Sequence, residues 1–450
     1  MAMIHKIYLF MLLLSINIAV NAQEKDSLSY KFSLKSAIDF AFTHQTAILN
    51  ATVDEEIARN TVKQTVGIGL PQVSTSFNFQ DFLKLPTTLL PGEFASPPSS
   101  TPIPVTFGTK YSSTLGIQLN QLLFDGSYIV GLQASKTYKE LSVRNSKRTR
   151  IETAVAVTKA YYSALVSKEQ LGLIDANLAQ LTKSLNDTEA MFKNGFSEKI
   201  DVDRLQVLKN NLETDRENVL RMFAVNVDLL KFQMGMPIQA SLALTDKISN
   251  VRSEPVVLQV SDTTAYKGRI EYNLLETQKK LNELDLKRQK SMFLPTLSGF
   301  ASASKSFQSD ELQKHFEQSF PTSVIGLTLS WNIINGGQRI YQVRNAKLTV
   351  LKSANDMLNL KNGIALEIST SQKAYLSSLR SVENQQRNLG LSNEILRVSR
   401  IKYEQGVGSS LEVTIAETSL KEAQNNYIKA LYDLLINKVD LDKAAGRINY

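Results

Sequence analysis

The 450-residue chain has no cysteine. Disulfide frameworks, thiolate metal sites, cysteine nucleophiles and a lipid-anchored amino-terminal cysteine are thereby excluded. Histidine is nearly as scarce, at His5, His44 and His315. So few histidines without cysteine argue against a zinc site and against a Ser/His/Asp hydrolase, and they read as polar surface residues. Adjacent acids such as Glu55-Glu56 lie on a helical stretch, where neighbouring side chains diverge. No phosphate-cradling loop is found. The sequence therefore implies no enzyme, no cofactor and no bound metal. Lys and Arg number 51 against 43 Asp and Glu, a net charge of +8. The excess is scattered, without a dense basic block, so no nucleic-acid partner is expected.

Long apolar runs are also missing, with one exception. Lys6 precedes Ile7–Val20, an apolar run too short to span a bilayer and suited to a signal h-region. Val20-Asn21-Ala22 resembles a cleavage site, so residues 1–22 are expected to be a signal peptide. With no other such run, passage through a membrane would have to use strands.

Proline is absent where helices are expected and crowded where they are not. Pro86, Pro91, Pro97, Pro98, Pro102 and Pro104 share one segment, whereas Ser127–Met236 and Gln338–Tyr450 contain none. Proline costs a helix interior about 3 kcal/mol, so the two tracts read as long helices. Each is broken once by glycine, at Phe192-Lys-Asn-Gly195 and Tyr403-Glu-Gln-Gly406, which signals a helix stop and an antiparallel return. Val157, Ala164, Leu171, Leu178, Leu185 and Phe192 recur at sevens, as do Ile368, Tyr375, Val382, Leu389, Leu396 and Tyr403. Sustained heptads predict coiled-coil packing. Ile174, Leu181 and Leu379 begin a second seam, while Gln372, Gln386 and Asn393 leave it partly wet.

The two tracts are copies of one another. The turns match, as do Ile200-Asp-Val202 with Leu411-Glu-Val413, Leu70-Pro71 with Leu294-Pro295, and Phe124-Asp-Gly126 with Ile334-Asn-Gly336. Lys159–Leu165 (KAYYSAL) also matches Lys373–Leu379 (KAYLSSL). Landmarks in the same order indicate tandem duplication. Between each Leu-Pro and each Asp/Asn-Gly lie two strand-like runs. Val73, Thr75, Phe77 and Phe79 alternate with polar residues, as do Tyr111, Leu115, Ile117 and Leu119, and Ile325, Leu327, Leu329, Trp331 and Ile333. Residues 296–306 alternate less cleanly. Polar faces of Ser, Thr, Asn and Gln suit a wet lumen opposite lipid, and Tyr111 and Trp331 are placed as membrane-interface aromatics.

The expected organisation is a first repeat over 23–237, with a hairpin at about 72–124, a long helix 127–193 and a return helix 197–235. A linking segment, 238–265, follows. The second repeat, 266–450, has a hairpin at about 296–334, a long helix 338–404 and a return helix 409–446. Short leading helices are expected at 33–69 and 266–294. Four strands cannot close a barrel, which needs at least about 8, and open edges are not tolerated in lipid. Several chains must pool their strands, and three would supply twelve.

This pattern resembles the TolC family of outer-membrane efflux proteins. The residues carrying it are the Leu-Pro junctions at Pro71 and Pro295, the Gly126 and Gly336-Gly337 motifs, and the Gly195 and Gly406 turns with Asp201-Val202 and Glu412-Val413 after them. The resemblance covers essentially the whole exported chain. It implies a mixed, predominantly α-helical fold: a coiled-coil tube plus a transmembrane β-barrel completed by homotrimerisation. It implies a location in the outer membrane of a Gram-negative type cell, projecting into the periplasm. It also implies a periplasmic adaptor (membrane fusion) protein and an inner-membrane RND or ABC-type pump as partners, in an efflux or type I secretion system. Such a duct conducts passively and leaves cargo choice to the pump.

By match to the family's turn motifs, Asp201, Tyr403 and Glu412 are candidates for a periplasmic gate. The plainer reading places both acids in a helix's first turn, where carboxylates favour the dipole. Gly195, Gly406 and Gly408 are candidate adaptor contacts, or turn-makers only. Gly408 stands where some family members carry a basic gate residue, and Ile200 replaces a small polar one, so any gate differs from theirs. In the family the linking segment joins a belt around the tube. The proline-rich loop at 86–104 is a partial lid or a tolerated surface loop. A rival reading is an exported coiled-coil filament without a pore, which explains the heptads and signal but not the strands.

Overall fold

The computed structural model describes residues 30–94, 97–98, 100–248 and 265–448. The expected signal peptide and most of the linking segment, Pro255 included, lie outside the described residues. In chain order come β1 (Tyr30–Phe32), α1 (Leu34–His44), α2 (Thr46–Ile68), β2 (Gln72–Asp81), β3 (Thr87–Leu90), β4 (Ile103–Thr106) and β5 (Tyr111–Phe124). Then follow α3 (Gly126–Lys193), α4 (Lys199–Met234), β6 (Leu242–Leu244), α5 (Ile270–Ser291), β7 (Thr296–Ser309), β8 (Ser319–Ser330), α6 (Gln338–Glu404) and α7 (Ser410–Ala444). The 68 residues of α3 and 67 of α6 are each about 100 Å of uninterrupted helix. The chain forms two units: Thr52–Asn145 with Glu271–Lys361, and the segments up to Ala51, Ser146–Ile270 and Asn362 onward.

The first of these holds the sheet, in the order β2-β5-β7-β8, antiparallel throughout. Register decides its faces. Val73 lies opposite Leu119, Leu119 opposite Ala301, and Ala301 opposite Ile325. Directly paired residues share a side, so this row is apolar from edge to edge and the face that holds it is mainly apolar, with Lys305 between Leu115 and Pro321 as an exception. The other face aligns Ser74 with Gln118 and Ser302, and Asn78 with Thr114 and Ser306. The apolar face lies open, with Ile325 86%, Leu327 70% and Val73 65% exposed. β7, whose alternation is least clean, is nonetheless a central strand, because Gly299, Ala301 and Ala303 fit between larger neighbours. β8 stops at Ser330, short of the alternation expected through Ile333. Its partner begins at Thr296 after Pro295, which has no N–H to continue the ladder.

Two further differences concern loops. The proline-rich segment is partly ordered into a ribbon, β3 pairing with β4 and Leu89 facing Pro104. Proline is tolerated there because the ribbon is all edge. His315 is fully buried rather than on the surface. Its Nε2 lies 2.8 Å from Ser113 Oγ, and Phe79, Tyr111, Phe307 and Phe316 surround the ring. The Nδ1 atom has no hydrogen-bond partner among the described residues. Both residues are shut from solvent, and the pair fastens the β7–β8 loop to the sheet.

The second unit is helical. One core joins α1, α3 and α4 through Ile38, Ala41, Val157, Tyr161, Ala164, Leu230 and Met234. Another zips α3 to α4 through Ile174, Leu181, Leu185, Leu205 and Leu212, and a third joins α6 to α7 through Leu396, Val413, Ala416 and Leu420. Each leucine so buried stabilises by roughly 1.5–3 kcal/mol. The leading helix expected over 33–69 breaks at Gln45, whose backbone is extended. The end of α4 packs against this break, where a side chain on Gly235 would collide with the His44 carbonyl at 2.6 Å. The Gln45 amide then donates to the Phe232 and Gln233 carbonyls at 3.3 and 3.1 Å. β1 and β6 form a short parallel pair that sequence reading does not anticipate. Asp246, just beyond β6, accepts from Leu34 N–H and from the Tyr161 hydroxyl, each at 2.9 Å.

Structure also corrects the repeat register inside the long helices. Asn226 donates to Ser167 Oγ at 2.8 Å, and Asn437 to Ser378 Oγ at 2.6 Å. These pairs share the offset of the two turns. KAYYSAL and KAYLSSL are displaced from it by three residues, so they are alike in sequence but not equivalent in place. On the true register Ala164 corresponds to Tyr375, and both are fully buried.

Candidate functional site

The two helix turns are built alike. Gly195 and Gly406 have φ of +80° and +72°, which L side chains rarely adopt. Phe196 N–H donates to the Met191 carbonyl and Val407 N–H to the Lys402 carbonyl, at 2.9 and 3.0 Å. Each closes a helix by bonding five residues back, satisfying carbonyls that the ended helix would leave bare. Gly408 packs against Lys402, where a Cβ would fall 2.9 Å from the lysine's own. All three glycines thus stand where a side chain would strain or crowd the turn.

After the turns the repeats diverge. Asp201 Oδ2 accepts the Glu198 N–H at 3.3 Å and the Ser197 hydroxyl at 3.0 Å, so it caps its own helix. Its Oδ1 accepts the hydroxyl of Ser410, from the other repeat. Arg204 lies 3.5 Å from the same carboxylate and 3.3 Å from Ser410 Oγ. Tyr403 joins the cluster through Ser197, oxygen to oxygen at 3.4 Å. Burial alone would raise the Asp201 pKa. The bonds from Ser410, Ser197 and Glu198 and the Arg204 charge outweigh it and hold the carboxyl below its ordinary value. Glu412, the counterpart of Asp201, stays out. Its N–H is capped by Ser409 at 3.2 Å, and its exposed carboxylate has no hydrogen-bond or ion-pair partner among the described residues.

Asp201 and Tyr403 are therefore brought together and Glu412 is not. Sequence reasoning missed Ser197, Arg204 and Ser410, the residues that join the repeats. A serine flanking each turn was the available signal. The cluster ties α4 to the start of α7, and the seam between the repeats continues in polar contacts. Asp215 pairs with Lys421, Asn177 donates to Gln424 at 2.5 Å, and Lys159 pairs with Asp440 at 2.5 Å. A cleft of about 770 Å³ opens along this seam, lined by Asn177, Asn211, Asn393, Arg400 and Glu417 among others. Further along, Val166 and Leu173 of α3 pack on Ile428 and Leu435 of α7, so the seam between repeats is polar near the turns and apolar farther from them.

The remaining predicted positions lie in the sheet unit. Pro71 and Pro295 stand between helix and strand, just before β2 and β7. Gly126 opens α3, where a Cβ would lie 3.1 Å from both Leu294 Cδ1 and Ser291 Cβ. Gly336 and Gly337 form the turn into α6. Tyr111 begins β5, stacked on Phe79 beside His315. Trp331 follows β8 at the sheet's other end, 58% exposed, with its indole N–H on the Phe293 carbonyl at 3.1 Å.

No helix among the described residues is long and apolar enough to cross a membrane, and no cluster of three metal-ligating side chains occurs among them. Residues 276–447 match the family described as outer membrane efflux protein. The alkaline protease secretion protein AprF of Pseudomonas aeruginosa is 23% identical over 72% of this chain and 67% of its own length. The outer membrane protein TolC of Escherichia coli is 20% identical over 75% and 70%. Among solved structures, the outer membrane protein VceC of Vibrio cholerae superposes with a TM-score of 0.70 at 14% identity, covering 92% of this chain and 96% of its own. The open-state MtrE outer membrane channel of Neisseria gonorrhoeae gives 0.73 at 19%, covering 92% and 88%.

Proposed function

We infer that this chain, a TolC-family outer membrane efflux protein, works as a trimeric exit duct that an inner-membrane pump feeds through a periplasmic adaptor. It resides in the outer membrane and provides the outward path of an efflux or secretion system. The observation that carries the trimer is the sheet itself. Among the described residues, four strands end in two unpaired edges, β2 and β8, with one mainly apolar face and one mainly polar face. Lipid does not tolerate such edges, and pairing β8 of one copy with β2 of the next removes them. The polar face then lines a wet lumen. The filament reading gives that sheet no role.

Conduction needs no chemistry from this chain. Its own task is to stay shut when no pump is attached. The Asp201–Ser410 bond and the Arg204 and Tyr403 contacts join the repeats beside the two turns, and we assign them to the closed state. An adaptor that competes for Ser410 or the turns would free α7 from α4. Glu412, left unpaired, presents a carboxylate that three copies would gather into one negative ring and so favour cations.

Purification in detergent followed by planar-bilayer recording tests this reading. The expected result is a trimer with low conductance that rises when Asp201 is replaced by Asn. A monomer soluble without detergent overturns it.

A further inference from the structure

The two helix–sheet junctions are copies that have been put to different use. In the first repeat, Gln121 Nε2 donates to the Gly69 carbonyl at 2.8 Å. In the second, the same bond runs from Trp331 Nε1 to the Phe293 carbonyl at 3.1 Å. A glutamine and a glycine therefore meet the structural need. The tryptophan and phenylalanine add two roughly half-exposed aromatic rings beyond it, Trp331 58% and Phe293 45% exposed. The helix that follows diverges too. In the first repeat Tyr128 reaches back, its hydroxyl 3.3 Å from the Val66 carbonyl. In the second Arg339 does so, its guanidinium 5.8 Å from the Phe293 ring centre and one N–H on the Asn332 carbonyl at 2.6 Å. The last turn of α2 carries no basic residue, whereas the last turn of α5 carries Arg288 and Lys290. Arg288 is paired with Asp285. Lys290 and Arg339 have no carboxylate partner among the described residues.

We propose that this second junction holds the headgroup of an anionic phospholipid, with Arg339 and Lys290 on the phosphate and Trp331 and Phe293 at the boundary between headgroup and acyl chains. The proposal rests on the apolar sheet face meeting lipid, as the duct reading requires. Three features identify the occupant. The site continues that face, since Ile325, Leu327 and Leu329 lead at alternate positions to Trp331, and Ile333 and Ile334 beyond it are 74% and 85% exposed. Indole rings favour the membrane–water boundary. The two cations, neither paired with a carboxylate among the described residues, complement a phosphate, and arginine grips one with its planar fork of donors.

The test is native mass spectrometry of the full chain, reconstituted in phosphatidylethanolamine vesicles containing a minority of phosphatidylglycerol and recovered by flotation. Wild-type protein should retain phosphatidylglycerol well above its bulk share, and high salt should strip it. Lys290→Gln should lower retention about fivefold, and Arg339→Gln by at least as much. Lys290→Gln tests the site even if Arg339→Gln, which loses the Asn332 bond, fails to insert. Protein that floats yet holds the two lipids at their bulk ratio, or a floating Lys290→Gln variant that retains lipid as wild type does, overturns this proposal alone. Protein that never floats overturns the duct reading with it.

Discussion

Asn226 and Ser167 are joined across α4 and α3 by a hydrogen bond that the duplication has kept, in Asn437 and Ser378, at the same relative place. Both serines are nine-tenths buried. Replacing either asparagine with leucine should lower the stability of its helix pair by about 0.5–1.5 kcal/mol, because the serine oxygen loses its amide donor while its hydroxyl still donates to the Ser163 or Ala374 carbonyl. Urea midpoints of the single and double variants would check this. The two effects should add, since the sites belong to different repeats.

Asp201→Asn and Ser410→Ala should each weaken the tie between repeats by about 1–2 kcal/mol per chain. Single-channel recording should show a higher resting conductance in both. The double variant should exceed neither single by much, since both remove one bond. Glu412→Gln should leave resting conductance near wild type and reduce cation preference instead.

The pH dependence of the same tie has a definite sign. The folded Asp201 carboxyl titrates below its unfolded value, so its contribution is complete above about pH 4 and is lost as pH falls through the lower folded value. Resting conductance should rise on acidification within that window, and Asp201→Asn should abolish the rise.

Tyr161 behaves oppositely. Burial, and then the Asp246 carboxylate, push its hydroxyl above the usual phenol range. The folded state holds this proton more tightly than the unfolded, so its contribution is complete below about pH 10 and is lost above it. Tyr161→Phe should cost about 1.5–3 kcal/mol at neutral pH and flatten that alkaline loss, both readable in thermal melts across pH.

The two faces of the sheet should respond differently to charge. Leu327→Arg, on the apolar face, should oppose membrane insertion by about 2–4 kcal/mol. Ser302→Arg, on the polar face, should insert normally and change ion selectivity. Flotation with vesicles reads the first effect and bilayer recording the second.

The sequence alone determined what depends on local periodicity. Proline-free heptads fix two long helices, glycines that must take positive φ fix their turns, and period-two alternation fixes which strands have an apolar side. Duplication was legible because turns and Leu-Pro junctions punctuate both halves in one order. Tertiary structure decided whatever depends on partners distant in the chain. It set the helix register against the misleading KAYYSAL match, since a heptad pattern tolerates near-identical segments in shifted places until a side-chain bond pins one of them. It broke the leading helix at Gln45, where the Gln45 amide reaches the last carbonyls of α4 and Gly235 packs against the His44 carbonyl. It buried His315, which composition made a surface residue, because four aromatic rings from separate elements close around it. Above all it separated Asp201 from Glu412. The two are equivalent in sequence and both open a helix, yet only Asp201 faces a serine from the other repeat, and no local pattern records which residues lie across that seam.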